Sequence, residues 1–251
     1  MSKKLSRFAL PLALLLGLAA PAAASALTVY GASSLRDVFT QIDSTPTYSF
    51  LGSNQLQLQI ERGAPADVFA SASPAEPQAL FKEGRCTRPV TFATNKLVMI
   101  VPKANPAKIR SVYTLRSGGK RMSIGSPGVP IGSYTRTLLR RLGLSSVLTK
   151  NTVSQEANVA NIVSKVALGS ADVGFAYVTD AKIASDRITE IQLPTYAQPP
   201  VRYGICQVVR SGVDKSGAAA FIAKVRSSRG RSLLRAAGFG LPPLATKKKK
   251  K

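Results

Sequence analysis

The chain has 251 residues and carries 35 Lys and Arg against 12 Asp and Glu, a formal net charge of +23. It contains no histidine, which excludes Ser-His-Asp and Cys-His catalysis and most zinc and copper sites. Acidic residues are also scarce, so a site for a metal cation has few ligands to draw on. We therefore expect neither an enzyme nor a metal-cation site.

The first 26 residues have the pattern of a secretory signal peptide, with two lysines and an arginine before an apolar run at residues 8–20. Small residues at 24–26 fit a signal-peptidase cleavage site. The alternative, a transmembrane anchor, needs about 20 apolar residues, which is more than this run offers. We expect the mature chain to be periplasmic or otherwise secreted.

The last five residues, 247–251, are all lysine and are predicted to be a disordered tail or an appended tag. Without the signal peptide and this tail the net charge is still about +15, which favours contact with anions. The remaining Lys and Arg are scattered and no aromatic residues alternate with them. An anion-attracting field or general solubility explains them as well as nucleic acid does, and we expect no nucleic-acid partner.

Cys86 and Cys206 are the two cysteines of the chain. In an oxidising compartment they form either one disulfide or two buried thiols. The sequence alone leaves both alternatives open.

A strand, a turn of small residues and an amphipathic helix recur along the mature chain, which predicts α/β architecture with mostly parallel strands. The predicted strands are residues 27–30, 48–51, 68–70, 96–101, 121–125, 173–177 and 203–209. The predicted helices begin near residues 35, 53, 134 and 156–158, and two short helices occupy 218–237.

Four of these helices begin directly after turns that contain glycine or serine. A helix N-terminus exposes unpaired N–H groups and a partial positive charge, which suits an anion. Capping alone explains any single serine at such a turn. In the second helix Leu56, Leu58 and Ile60 alternate like a strand, but the Gly-Ser-Asn start and Gly63 favour a helix.

Seven short segments follow one another in a characteristic order and spacing. They are Tyr30-Gly-Ala-Ser-Ser-Leu35, Phe50-Leu-Gly-Ser-Asn-Gln-Leu56, Gly63-Ala-Pro-Ala-Asp-Val-Phe-Ala-Ser71, Asn95-Lys-Leu-Val98, Val129-Pro-Ile-Gly-Ser-Tyr134, Glu156-Ala-Asn-Val159 and Gly174-Phe-Ala-Tyr177. Together they resemble the periplasmic molybdate-binding proteins of ABC transporters, of the type II periplasmic solute-binding protein family. The resemblance covers residues 27–240, and the segment from Gly63 to Ser71 is its most specific part.

The resemblance implies an α/β, two-lobed fold, with mixed sheets flanked by helices and the ligand in the cleft between the lobes. The first lobe would comprise residues 27–95 plus 201–246, and the second lobe 96–200. Two crossover strands, 96–101 and 203–209, would then act as a hinge. Both cysteines would lie near each other on the first lobe, which favours the disulfide.

The resemblance also implies an oxyanion site built from uncharged donors. These are the hydroxyls of Ser34 and Ser53, the backbone N–H groups of Ile131 and Val159, and the hydroxyl of Tyr177. A fully ionised tetrahedral dianion offers only acceptors, so donors alone match it. Hydrogen phosphate would place an O–H group against a donor and be rejected.

The implied function is the substrate-binding component of an ABC importer. It would bind molybdate or tungstate as a ligand, without a cofactor, and would deliver it as a monomer to a membrane permease. Two departures from the family pattern affect the ligand's identity, Asn54 in place of a serine and Ile131 in place of a small residue.

Three alternatives remain at this stage. The same fold could bind sulfate or another oxyanion, since sequence does not measure the pocket. The basic charge is also typical of an extracytoplasmic polyanion-binding or adhesion protein. A secreted hydrolase is the third alternative, and the missing histidine argues against it.

Overall fold

A computed structural model describes residues 26–243, which form two β-sheets flanked by helices. The predicted lysine tail and residues 1–25 of the predicted signal peptide lie outside the described residues. The arrangement confirms the two-lobed α/β fold implied by the resemblance.

The first sheet has the strand order β2-β1-β3-β10-β4. Its strands are β1 (Thr28–Ala32), β2 (Thr47–Leu51), β3 (Val68–Ser71), β4 (Val90–Asn95) and β10 (Val201–Gln207). Strand β1 runs parallel to β2 and β3, whereas β10 runs antiparallel to β3 and β4. The first lobe thus obtains one of its central strands from the far end of the chain.

The second sheet has the order β7-β6-β8-β5-β9. Its strands are β5 (Leu97–Pro102), β6 (Met122–Gly125), β7 (Thr152–Glu156), β8 (Val173–Tyr177) and β9 (Ile188–Ile191). Strand β6 is parallel to β7 and β8, and β5 is antiparallel to β8 and β9. Both sheets are therefore mixed, as the resemblance implies, and in each sheet four of the five strands point the same way while β10 or β5 is reversed, which agrees with the prediction of mostly parallel strands. The antiparallel strands β5 and β10 each enter a sheet just after the chain has crossed from the other one.

Helices cover both sheets and place their N-termini towards the cleft at several points. They are α1 (Arg36–Ile42), α2 (Ser53–Glu61), α3 (Ala75–Lys82), α4 (Pro130–Arg141), α5 (Val147–Asn151), α6 (Val159–Ala167), α7 (Val178–Ile183), α8 (Lys215–Arg226) and α9 (Ser228–Ala236). The predicted helix after Gly52 is confirmed: Leu56 and Ile60 are buried on one face while Leu58 is 44% exposed. None of the helices within residues 26–243 is long and apolar enough to cross a membrane.

The chain passes between the sheets at Asn95–Leu97 and again at residues 192–200. Each of the two strands expected to cross lies within a single sheet, so the crossings are the short links before them. The side chain of Gln198 ties the two links together, because it accepts a hydrogen bond from the Leu97 N–H (3.0 Å) and donates one to the Leu97 carbonyl (2.8 Å).

The structure joins Cys86 and Cys206 in a disulfide. The bridge lies in a small buried cluster of the first lobe with Leu56, Phe69 and Leu80. It connects the segment before β4 to the end of β10, across 120 residues of sequence. It therefore fixes the late strand β10 to the early part of the same lobe.

Replacing both cysteines with alanine is expected to lower the free energy of unfolding by about 2–4 kcal/mol, because the bridge closes a long loop of the unfolded chain. Denaturant unfolding of the oxidised protein and the double variant measures this difference. Ligand affinity should not change, since the two cysteines do not line the cleft cavity described below. A large loss of ligand affinity in a fully folded double variant would contradict a purely stabilising role for the disulfide.

Candidate functional site

A small cavity lies between the two lobes, and all five predicted site residues line it. The first lobe contributes Ala32, Ser33, Ser34, Leu51, Gly52, Ser53 and Ala72, and the second contributes Val129, Pro130, Ile131, Asn158, Val159 and Tyr177. No charged side chain is among these lining residues. The polar groups of the cavity are uncharged hydroxyls, amides and backbone groups.

The two first-lobe serines follow neighbouring parallel strands, which is why they meet at one edge of the sheet. Ser34 lies in a short 3-10 helix after β1, and Ser53 is the first residue of α2 after β2. They are 6% and 1% exposed. The Ser53 Oγ accepts a hydrogen bond from the Ala72 N–H at 3.0 Å. Its own proton therefore remains free to donate towards the cavity.

The second lobe presents two helix N-termini to the same cavity. Ile131 is the second residue of α4 and Val159 the first residue of α6, positions whose N–H groups have no acceptor within the helix. Pro130 has no N–H, so Ile131 supplies the first donor of α4. The Asn158 side chain caps α6 by accepting from the Asn161 N–H at 3.0 Å.

Tyr177 ends β8, and its hydroxyl is buried without a hydrogen-bond partner among residues 26–243. Burial raises the pKa of this hydroxyl well above its ordinary value, so it stays protonated and is a neutral donor. A buried polar group without a partner costs about 1–3 kcal/mol. An acceptor bound in the cavity would remove that cost, so the tyrosine points to a ligand.

The two lobes approach each other closely beside the cavity. A Cβ atom added at Gly52 would lie 2.2 Å from the Ala157 carbonyl oxygen of the second lobe. At the crossing, the Asn95 Nδ2 donates to the Thr179 Oγ1 at 3.0 Å. These contacts describe a closed arrangement of the lobes.

Two residues at this site, Gly52 and Tyr203, were not predicted from the sequence. Gly52 carried only the signal of a turn glycine, and nothing in the sequence placed it against Ala157. Tyr203 was read as an ordinary strand residue, yet its hydroxyl lies 2.9 Å from the Ser34 Oγ. Asn54, the departure from the family pattern, does not line the cavity, whereas Ile131 does.

Within residues 26–243, no group of three or more His, Cys, Asp and Glu residues is placed to hold a metal ion. The groups at the cavity are donors, which match an anion rather than a cation.

A family model of bacterial extracellular solute-binding proteins matches residues 27–240. The chain belongs to this family. Among curated solute-binding proteins, the molybdate-binding protein ModA of Mycobacterium tuberculosis is 34% identical over 87% of this chain and 86% of its own length. The ModA protein of Haemophilus influenzae is 29% identical over 94% of this chain and 98% of its own.

Solved structures of solute-binding proteins share the fold. The periplasmic molybdate-binding protein of Azotobacter vinelandii superposes with a TM-score of 0.76 at 26% identity, covering 86% of this chain and all of that one. The sulfate-binding protein SubI of Mycobacterium tuberculosis has a TM-score of 0.72 at 15% identity, covering 85% of this chain and 86% of that one. This second likeness shows the fold alone.

A second cavity of about 170 Å³ lies between the lobes of this solute-binding protein, next to the first. Arg36 and Asp37 line it from the first lobe, and Asp180 and Arg187 line it from the second. Burial raises the pKa of Asp180 to about 7, and the nearby Asp37 acts in the same direction, while hydrogen bonds to the carboxylate oppose them. Asp180 therefore holds its proton more tightly in the folded than in the unfolded chain.

Asp180→Asn is expected to stabilise the protein in a pH-dependent way. Since the folded-state pKa is raised, the wild-type carboxyl lowers stability as the pH rises from about 4 to about 7, and the loss persists above. The variant cannot ionise, so its advantage should be small near pH 4 and on the order of 2–4 kcal/mol near pH 8. Thermal unfolding at both pH values checks this, and a difference that does not vary with pH would contradict it.

Proposed function

We propose that this chain is the substrate-binding component of an ABC importer, which binds molybdate or tungstate between its lobes and delivers it to a membrane permease. The observation that carries the proposal is the uncharged, donor-lined cavity, in which the Tyr177 hydroxyl is buried without a partner. The names of the curated relatives support the same ligand.

The chemistry of the cavity suits a fully ionised tetrahedral oxyanion. Two serine hydroxyls, two backbone N–H groups and one tyrosine hydroxyl replace the water that surrounds the free ion. Hydrogen bonds to a charged group contribute about 1.5–3 kcal/mol each. After the costs of ordering and lobe closure, such a set supports affinities of roughly micromolar to nanomolar.

Binding alone accounts for the proposed role, with no chemical step and no resident cofactor. We infer that the lobes open at the two crossing links, take up the ion and close to the arrangement described above. The closed monomer would then be the form that the permease recognises, outside the cytoplasm. Nucleic acid has no part in this cycle.

Calorimetry of the protein without its predicted signal peptide tests the proposal, using molybdate, tungstate and sulfate in parallel. We expect one molybdate ion per chain, bound tightly, and weak or no binding of sulfate at equal concentration. Tight binding of sulfate instead would favour the alternative in which the same fold binds sulfate. Binding of none of the three anions would refute an oxyanion receptor.

The high basic charge calls for a separate test of the adhesion alternative. Purely electrostatic binding to a polyanion falls steeply with salt. We expect any heparin or DNA binding to be lost at about 0.5 M salt or when residues 247–251 are deleted. Retention under both conditions would favour the polyanion-binding role.

A further inference from the structure

Tyr203 connects the two halves of the site without lining the cavity itself. It lies on β10, is fully buried, and its ring packs edge-to-face on Tyr177 with 5.9 Å between ring centroids. Its hydroxyl lies 2.9 Å from the Ser34 Oγ, and either oxygen could donate the hydrogen bond. The direction of that bond decides whether Ser34 offers a proton to the cavity.

The burial of Tyr203 settles the direction. Within residues 26–243, the Ser34 Oγ is the only hydrogen-bond partner of the Tyr203 hydroxyl, and Tyr203 is fully buried. If Ser34 were the donor, the Tyr203 proton would be buried without an acceptor, which costs about 1–3 kcal/mol. The Tyr203 O–H therefore donates to Ser34, and the Ser34 proton is left for the cavity.

We propose that Tyr203 is a positioning residue that fixes Ser34 as a donor towards the cavity and so sets the site's selectivity against anions that carry a proton. This inference rests on the proposed function. The other serine is held in the same way, since Ser53 accepts the Ala72 N–H. In both serines a protein donor occupies the acceptor oxygen, and the proton can only point to the ligand.

As a consequence, the hydroxyls of Ser34 and Ser53 cannot rotate to accept a hydrogen bond from the ligand. A serine without such a partner can rotate and accept a hydrogen bond, which would accommodate the O–H of hydrogen phosphate. With Tyr203 in place, that O–H meets a donor and remains unpaired, which is costly in a buried site.

The test is a double-mutant cycle of Tyr203→Phe and Ser34→Ala, with molybdate and inorganic phosphate as probes in calorimetry near pH 7. Tyr203→Phe should weaken molybdate binding by about 10-fold, since it removes one buried hydrogen bond next to the ion. Phosphate binding should not weaken, so the preference for molybdate over phosphate becomes smaller. The double variant should bind molybdate no more weakly than Ser34→Ala alone, because Tyr203 acts through Ser34.

Tyr48→Phe is the matched control. The Tyr48 hydroxyl donates to the carbonyl oxygens of Asp43 and Phe39, away from the cavity. The Tyr48→Phe substitution should lower the melting temperature and leave the affinities for molybdate and phosphate unchanged.

Additive losses in the cycle, or an unchanged affinity ratio in Tyr203→Phe, would overturn the role of Tyr203 while leaving the proposed function intact. If the unmodified protein binds neither molybdate nor tungstate nor sulfate, both proposals fail. If it binds sulfate or tungstate but not molybdate, the same cycle measured with that ion decides the role of Tyr203.

Discussion

Replacing Gly52 with alanine is expected to weaken molybdate binding by about 100-fold or more, although the ligand-free protein should still fold. The backbone at Gly52 has φ −65° and ψ 138°, which alanine adopts without strain. Within its own lobe the nearest atoms to the new methyl group would be the ends of the flexible Asn54 and Gln55 side chains, at 3.0 and 3.2 Å. Across the cleft it would lie 2.2 Å from the backbone carbonyl oxygen of Ala157.

That carbonyl is part of the main chain before α6 and cannot move aside as a flexible side chain would. The lobes of the variant would therefore stop short of the closed arrangement, and the donors of the two lobes would not reach one ion together. Calorimetry gives the affinity, and small-angle X-ray scattering with and without molybdate gives the closure. We expect the wild type to compact on binding and the variant to remain open.

Gly204→Ala is a suitable control for Gly52→Ala. A methyl group there would meet Pro77 at 3.0 Å, within the first lobe. It adds the same group at a crowded position that is not opposed by the other lobe. If both variants lose affinity equally, crowding in general and not blocked closure is the cause.

Ser53→Ala is the second variant with a large expected effect. It removes a donor to the ion and also leaves the buried Ala72 N–H without its acceptor. We expect molybdate affinity to fall by about 10- to 100-fold, and the free energy of unfolding without ligand to fall by about 1–3 kcal/mol. Calorimetry and denaturant unfolding measure the two effects separately.

Ser123→Ala separates the two effects of the Ser53 substitution. Ser123 is also fully buried, but its hydroxyl donates to Glu156 at 3.3 Å within the second lobe and does not line the cavity. It should cost stability and leave the affinity unchanged. An equal loss of affinity in this control would mean that Ser53 acts through stability alone.

The central strands of both sheets were predictable because they are buried on both faces and read as continuous apolar runs. Strands β4, β7 and β9 were missed, and all three lie at the edge of a sheet. The edge strand β7 is the clearest case. Its sequence Thr-Val-Ser-Gln-Glu is half exposed and has no apolar run, so only its pairing with β6 makes it a strand.

The site residues also differ in whether neighbouring or distant parts of the sequence determine their role. Ser34, Ser53, Ile131 and Val159 were predicted from the resemblance, and each also lies at or near the start of a helix, a feature that the neighbouring residues determine. Gly52 and Tyr203 were missed because their roles depend on residues more than 100 positions away, Ala157 and Ser34. No local pattern marks a glycine that faces another lobe or a tyrosine that orients a distant hydroxyl.

The late position of β10 also has a consequence for the order in which the molecule forms. A chain is synthesised from its N-terminus, and every strand of the second sheet, residues 97–191, emerges before β10 does. Until then β3 and β4 lack the strand that lies between them, and Cys86 lacks its bonding partner. The second lobe can therefore assemble first, and the first lobe, with the cleft it shares, is completed last.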